Sequence, residues 1–165
     1  MTTDPSQLSH VRSGPSGPES TMVDVGDKLP TQRSALARAR VRFPDGMLAV
    51  VLAGAGPKGP VTEVARVAGI QAAKRTSEWI PMCHVVPLDH VGIEFEALES
   101  DLLEVRCRAS CTARTGVEME ALVGASAAAL AVYDMTKALS HEIVIERVEL
   151  VEKLGGKSGA WRRDT

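Results

Sequence analysis

The stretch Arg114–His141 reads RTGVEMEALVGASAAALAVYDMTKALSH, with two acids near its start, an acid and a base near its end, and no charged residue between Glu120 and Asp134. Thr115-Gly116 makes a cap region, and the spacing predicts one long helix over Glu118–His141. A helix on a protein surface carries charge on its solvent face in nearly every turn, whereas one that is apolar or small all round is buried. This segment is therefore expected to be a rod at the centre of the fold, covered on every side, with reactive groups at both ends.

Outward from that rod, four segments alternate with a period of two. Ala35–Phe43 sets Ala, Ala, Ala, Val and Phe against Leu36, Arg38, Arg40 and Arg42. Val91–Ala97 sets Val91, Ile93, Phe95 and Ala97 against Gly92, Glu94 and Glu96. Leu103–Ala113 sets Leu103, Val105, Cys107, Ala109, Cys111 and Ala113 against Glu104, Arg106, Arg108, Ser110 and Thr112. Ile143–Val151 starts the same way and changes phase between Ile145 and Val148, as a β-bulge produces. These are strands of an antiparallel sheet with one oily face. Arginines and glutamates on the other face pair across strands, at up to ~1 kcal/mol per pair.

Helices fill the gaps. Pro44–Leu52 is a short one ending at Gly54. Pro60 suits the first position of a second helix, with Val61, Val64, Ala65, Ala68 and Ala72 on one stripe and a stop before Pro81. Val23-Asp24-Val25 is a candidate short strand ahead of these. The order strand, helices, strand, strand, helix, strand predicts an α+β ferredoxin-like sandwich, an antiparallel sheet of about four strands with helices on one face.

A chain of 165 residues has room for one good core. The expected organisation is a disordered, Pro/Gly/Ser-rich N-terminal tail over residues 1–20, a single domain over 21–159 and a C-terminal tail over 160–165. Aromatic residues make up 3%, too few for platforms that stack single-stranded nucleic acid. A net charge of −2 supplies no overall basic field, so an anion has to be held by a local cluster. Three cysteines, no apolar leader-like opening and no run of ~20 apolar residues point to a cytoplasmic protein with reduced thiols and no membrane span.

Most motif-like features have plain readings. Cys107 and Cys111 lie on the apolar phase of a strand, where free cysteine acts as a small hydrophobe, so no zinc or other metal site is expected with Cys83-His84. Gly155-Gly156-Lys157-Ser158-Gly159 lacks the upstream glycine and the following helix of a phosphate loop and reads as a flexible tail. Lys58 precedes a predicted helix N-terminus, a favourable place for an anion, though spacing alone favours a solvated loop lysine. In Pro81-Met82-Cys83-His84, Cys83 lacks an orienting partner, and His84 is the better candidate for proton transfer near neutral pH. Asp134 and Lys137 share a helical face with His141, as an ion pair or as a site; the apolar run before them is expected to desolvate Asp134 and shift its pKa. Glu118 and Glu120 suit a helix N-terminus in any case.

Glu120 and Asp134 are fourteen residues apart, roughly 21 Å of helix at 1.5 Å per residue. One straight helix cannot bring both to one small molecule, but two copies packed antiparallel can. The small residues from Gly124 to Ala129 permit close approach, so a homo-oligomer with a site shared between subunits is expected.

The segments VAGIQAAKRT, IPMCH, TGVEMEAL, YDMTKA and GGKSG, in this order, closely resemble those of the cyclic pyranopterin monophosphate synthase family, the C proteins of molybdenum cofactor biosynthesis. The resemblance runs from Met22-Val23-Asp24-Val25 to Gly159. It implies a ferredoxin-like fold assembled as a hexamer of three dimers, with no cofactor. It also implies conversion of a 3′,8-cyclo-dihydro-GTP intermediate to the cyclic pyranopterin with release of diphosphate. Carried over by position, the catalytic residues are Asp134, Lys137 and Lys58. The substrate-binding positions are Met82, Cys83, His84, Glu118, Met119 and Glu120, with Lys74, Lys153 and Lys157 also lining the site. Pro60 after Lys58-Gly59, and Val85-Val86 before Pro87, depart from the family pattern in loops beside retained positions. Without the resemblance, the residues leave open another nucleotide-processing lyase or phosphotransferase, and a non-catalytic ligand sensor on the same scaffold.

Overall fold

The computed structural model describes residues 10–54, 56–157 and 159–164. The elements in order are strands β1 (Val11–Gly14), β2 (Gly17–Ser20) and β3 (Thr31–Arg42), helices α1 (Met47–Leu52), α2 (Val61–Ala73) and α3 (Thr76–Trp79), strands β4 (His90–Ala97) and β5 (Leu102–Ala113), helix α4 (Glu118–Thr136), and strands β6 (Val144–Leu154) and β7 (Trp161–Arg162). Five strands form one antiparallel sheet in the order β4-β5-β3-β6-β7, and β1 and β2 form a separate hairpin.

The sheet has the two faces that period-two patterning requires. Ala35, Ala37, Ala39 and Val41 of β3 and Leu103, Val105, Cys107, Ala109 and Cys111 of β5 are all buried, and α4 lies across β3, β5 and β6 on that side. The register of β6 against β3 shifts between Arg40 and Val41, so that Glu146 is unpaired between Ile145 and Arg147. This is the bulge that the phase change predicts. A second shift, between Leu36 and Ala37, leaves Val151 unpaired.

Small residues set the spacing of the layers. Helices α2 and α4 cross where Gly69 meets Gly124: a Cβ on Gly69 would lie 2.9 Å from the Gly124 carbonyl oxygen, and one on Gly124 would lie 2.5 Å from Cys107 Sγ. Both distances are below real Cβ contacts, so the helices approach each other and the sheet as closely as backbone allows. Ala121, Ala125, Ala128 and Ala129 complete the α4 underside.

On the opposite face the charges do pair, but not simply partner to partner. Arg38 stands opposite Arg106 on one side and Glu149 on the other, while Arg40 stands opposite Glu104 and Arg147. The like-charge pairs, unfavourable in themselves, are offset by Glu104, which is 1% exposed and contacts Arg38, Arg40 and Arg106.

Several expectations are corrected. Residues 11–20, taken as tail, form a hairpin whose Gly17 has φ +120; residues 1–9 lie outside the described residues. The sheet has five strands rather than four, because Trp161-Arg162, taken as tail, pairs with Glu152 and Lys153 of β6. Val23–Val25 is not a strand. Pro60 occupies the N-cap of α2 rather than its first helical position. Helix α4 stops at Thr136 and not at His141, because the backbone tightens: the Leu139 N–H donates to the Thr136 carbonyl at 2.8 Å. Within one chain α4 is not covered on every side either. The sheet and α2 hide its underside, and Leu130 at its middle is 53% exposed.

Candidate functional site

Chemistry-bearing side chains gather in two groups, one at each end of α4. At the C-terminal end, the Lys58 ammonium donates to Asp134 Oδ2 at 2.8 Å, and the Lys137 ammonium contacts Asp134 Oδ1 at 2.7 Å. Lys58 is brought there by a turn in which the Gly59 N–H donates to the Gly56 carbonyl at 3.2 Å. Gly59 has φ +91, a conformation that glycine adopts without a Cβ penalty. Asp134 and Lys137 are neighbours one turn apart on the helix. The Asp134 side chain is 55% exposed, so it is not desolvated as the apolar run suggested. Its pKa is instead lowered from 3.8 to about 2, first by the hydrogen bond from Lys137 and then by that from Lys58. The same bond raises the pKa of Lys137. The result is a doubly braced carboxylate between two ammonium groups, open to solvent. His141 lies beyond the helix on an exposed bend.

At the N-terminal end of α4, a cleft of ≈ 330 Å³ is lined by Met82, Cys83, His84, Glu118, Met119 and Glu120. All six were expected at one site from the sequence, and the loop after α3 and the first turn of α4 bring them together. Glu120 is 4% exposed, and burial raises its pKa. Burial also raises the Cys83 thiol, with the Glu120 charge adding to it. Such a thiol is predominantly protonated at neutral pH, which argues against Cys83 as a thiolate nucleophile. Gly116 leaves the space that the Glu118 carboxylate occupies, and Lys153 reaches Glu118 from β6 at 3.3 Å.

The N-terminal segment closes this cleft, a contribution the sequence reading missed. His84 Nε2 donates to the Val23 carbonyl at 2.7 Å, and His10, Val23, Val25 and Lys28 join the lining. The available signal was the Met22-Val23-Asp24-Val25 stretch itself, which carried family likeness without any reactive group to draw attention. Lys74, just past α2, and Lys157, after Gly155-Gly156, are exposed; they belong neither to this lining nor to the ion pairs around Asp134. Cys107 and Cys111 are buried beneath α4, and burial pushes the Cys107 thiol up to about 12.

The uninterrupted helix between Glu120 and Asp134 keeps the two groups roughly 21 Å apart along its axis. One group holds two cations around a carboxylate; the other holds a buried and a half-buried acid, an imidazole and thioether surface.

An antiparallel sheet carrying a half-buried helix with charged groups at both ends defines a small α+β protein built around that helix. Within that class, this chain belongs to the MoaC family, whose model matches residues 22–156. Proteins named cyclic pyranopterin monophosphate synthase are close relatives. That of Thermomicrobium roseum is 50% identical over 147 residues, covering 88% of this chain and 89% of the relative. That of Novosphingobium aromaticivorans is 49% identical over 155 residues, 94% of this chain and 96% of the relative. That of Chloroflexus aurantiacus is 50% identical over 143 residues, 86% and 88%.

Proposed function

We propose that this chain is a cyclic pyranopterin monophosphate synthase. It is a lyase that converts (8S)-3′,8-cyclo-7,8-dihydroguanosine 5′-triphosphate to cyclic pyranopterin monophosphate with release of diphosphate, an early step of molybdenum cofactor biosynthesis. The observation that carries this reading is the Lys58–Asp134–Lys137 cluster, in a chain whose relatives named for that activity match it over most of its length.

The chemistry suits the side chains. Diphosphate leaves with negative charge developing on its oxygens, and fixed cations aimed at that charge lower the barrier. Lys58 and Lys137 are two such cations, held side by side by Asp134; Lys74, Lys153 and Lys157 are proposed to line the remaining phosphate path. Opening the purine ring and rebuilding it as a pterin requires proton transfers, for which His84, Asp134 and the buried Glu120 are the proposed donors and acceptors. Met82, Cys83, Glu118 and Met119 are proposed to hold the base, and no cofactor is invoked.

The site is proposed to be composite, with the acidic start of one α4 beside the Asp134–Lys137 end of another subunit. The exposed Leu130 and the half-buried Ser126, Ala127 and Ala131 beside it support α4 as the contact; Gly124, Ala125, Ala128 and Ala129 are used within the chain, against α2 and the sheet. A homohexamer of three dimers is proposed on the strength of the family resemblance. The strand order β4-β5-β3-β6 with α2 and α4 as crossovers supports a ferredoxin-like sandwich, with the short β7 added at one edge. The catalytic domain is proposed to span 21–159. No helix among the described residues is long and apolar enough to cross a membrane, and a cytoplasmic enzyme is proposed.

Incubation with the cyclised GTP intermediate tests the activity, with diphosphate and a fluorescent pterin derivative as readouts. Both should appear in proportion. Turnover of plain GTP without the cyclised intermediate would point instead to a different nucleotide-processing enzyme, and binding without turnover to a sensor.

A further inference from the structure

The face of the sheet away from the helices holds a recess of ≈ 600 Å³, within the usual size of small-molecule sites. The charges around it are unevenly distributed. Arg38, Arg147 and Arg163 all contact Glu149, and Arg108 and Arg162 both contact Glu152. Five arginines (Arg38, Arg106, Arg108, Arg162 and Arg163) line the recess against two carboxylates, Glu94 and Glu104, while Glu149 and Glu152 beside it are each shared by more than one arginine. The chain as a whole is net negative, so this excess is local.

The pairs at the rim are also the easiest to re-partner. Arg108 and Arg162 each sit 3.4 Å from Glu152 on exposed side chains; Arg163, 3.4 Å from Glu149, is held more firmly, since its Nε also donates to the Leu150 carbonyl at 2.8 Å. Glu152 and Glu149 are themselves only 17% and 13% exposed, but contacts this long leave the guanidinium ends open to solvent, and a phosphate chain offers them the bidentate geometry they match best. The floor is different in character. Leu36 is the one apolar residue on the charged side of β3, and Val151 lines the recess at the second bulge of β6. Gly92, opposite Arg108 in the register, leaves the floor between them bare. The apolar patch of Leu36 and Val151 beneath a rim with more arginines than glutamates matches a molecule with a flat apolar part and a phosphate chain.

We propose that this recess binds a nucleoside di- or triphosphate, at a site separate from the cleft and the Lys58–Asp134–Lys137 group. The sheet itself separates them: α4 occupies the opposite face, and face-to-face layers stand ~10 Å apart. The inference does not depend on the proposed reaction, because it uses none of the residues assigned to it.

The test is GTP binding by calorimetry at low salt to the Lys58→Ala/Lys137→Ala protein, in which the proposed reaction site is crippled. One saturable GTP per chain is expected, weakening as salt rises. Adding Arg108→Ala/Arg162→Ala should weaken binding at least tenfold in a chain that still folds, as checked by circular dichroism, although Glu152 loses both arginines. The same two arginine changes in the otherwise native protein should leave turnover of the cyclised intermediate intact. Absence of saturable GTP binding, including absence because a second copy covers the recess, overturns the proposal. So does binding unchanged by the arginine substitutions, or loss of turnover in the folded Arg108→Ala/Arg162→Ala protein, which would merge the recess with the reaction site. Inorganic triphosphate binding as tightly as GTP would overturn the role given to Leu36 and Val151.

Discussion

Lys58 Nζ lies 2.8 Å from Asp134 Oδ2 across 76 residues of sequence. The bond ties the loop before α2 to the last turn of α4. With Lys137 on the other carboxylate oxygen, it fixes both ammonium groups within one carboxylate's width of each other. Two free lysines would repel at that distance; the shared anion between them allows a second, incoming anion to meet both.

Asp134→Asn should therefore do more than remove a proton acceptor. It releases the two lysines from their common partner, so turnover should fall by roughly 10²–10⁴, with a rise in KM because the cations no longer stand together. Hydrogen exchange at the Lys58 and Gly59 amides should accelerate, reporting the freed loop. Turnover and exchange both unchanged would remove this cluster from the mechanism.

The titration of Asp134 has a definite sign. Because the lysines favour the ionised form, its folded-state pKa lies below the unfolded one, at about 2 against 3.8. Its contribution to stability is fully present above the unfolded value and is lost as pH falls through about 2. A carboxyl-carbon NMR titration should place the midpoint near the lower value, and Lys137→Ala should move it upward more than Lys58→Ala does. A midpoint at the ordinary aspartate value would mean that the ion pairs do not persist in solution.

Glu120 has the opposite sign. Burial raises its folded-state pKa, so the folded protein loses stability as pH rises from the unfolded value of 4.5 through the folded one. Glu120→Gln should consequently raise the melting temperature at neutral pH and have little effect at pH below the unfolded value. Turnover should fall, and the acidic limb of its pH profile should move. A variant that melts lower at neutral pH would show that the ionised carboxylate has favourable partners in the assembled enzyme.

Gly69 is held between the Gly124 carbonyl, Ile93 and Ala128, and backbone on the facing helix cannot swing aside. Gly69→Ala should cost about 1–3 kcal/mol through overpacking, only partly offset by alanine's better helix propensity. Denaturant unfolding measures this directly: the midpoint should fall with the m-value kept. A midpoint equal to or above that of the native chain would mean that α2 and α4 are not in backbone contact at Gly69 in solution.

The sheet was legible in the sequence because its pattern is redundant. Ala35, Ala37, Ala39 and Val41 repeat one decision, and the slip between Ile145 and Val148 is visible only because the alternation around it is clean. The end of α4 was not, since Ala138 and Leu139 continue an apolar pattern and no glycine or proline marks the stop at Thr136. Two-residue strands such as Trp161-Arg162 carry no period at all. The Pro- and Gly-rich residues 14–17 were read as disorder, although the same residue types build hairpin turns. The exposure of Asp134 is hidden in the sequence for a related reason. A run of small residues shows that some surface covers a helix, not which turns are covered, and the last turn emerges into solvent. The six residues of the cleft were legible through resemblance, whereas the Val23 carbonyl that binds His84 has no side-chain signature.

The separation of the two ends of α4 leads to the sharpest test of the proposed shared site. Asp134→Ala disables the lysine end and His84→Ala disables the cleft. Each homo-oligomer should be inactive by more than 10². If one site takes its cleft from one subunit and its lysines from another, mixing the variants places a native cleft beside a native lysine cluster at some of the sites. Activity should then reappear after subunit exchange and should follow the fraction of mixed oligomers, as resolved by native mass spectrometry with one variant isotope-labelled. Placing both substitutions in one chain and mixing it with native subunits should also leave some sites native only where two native subunits meet. Verified exchange without recovery in the first mixture would mean that each chain completes its own site, and that the helix ends are joined by a movement larger than this fold displays.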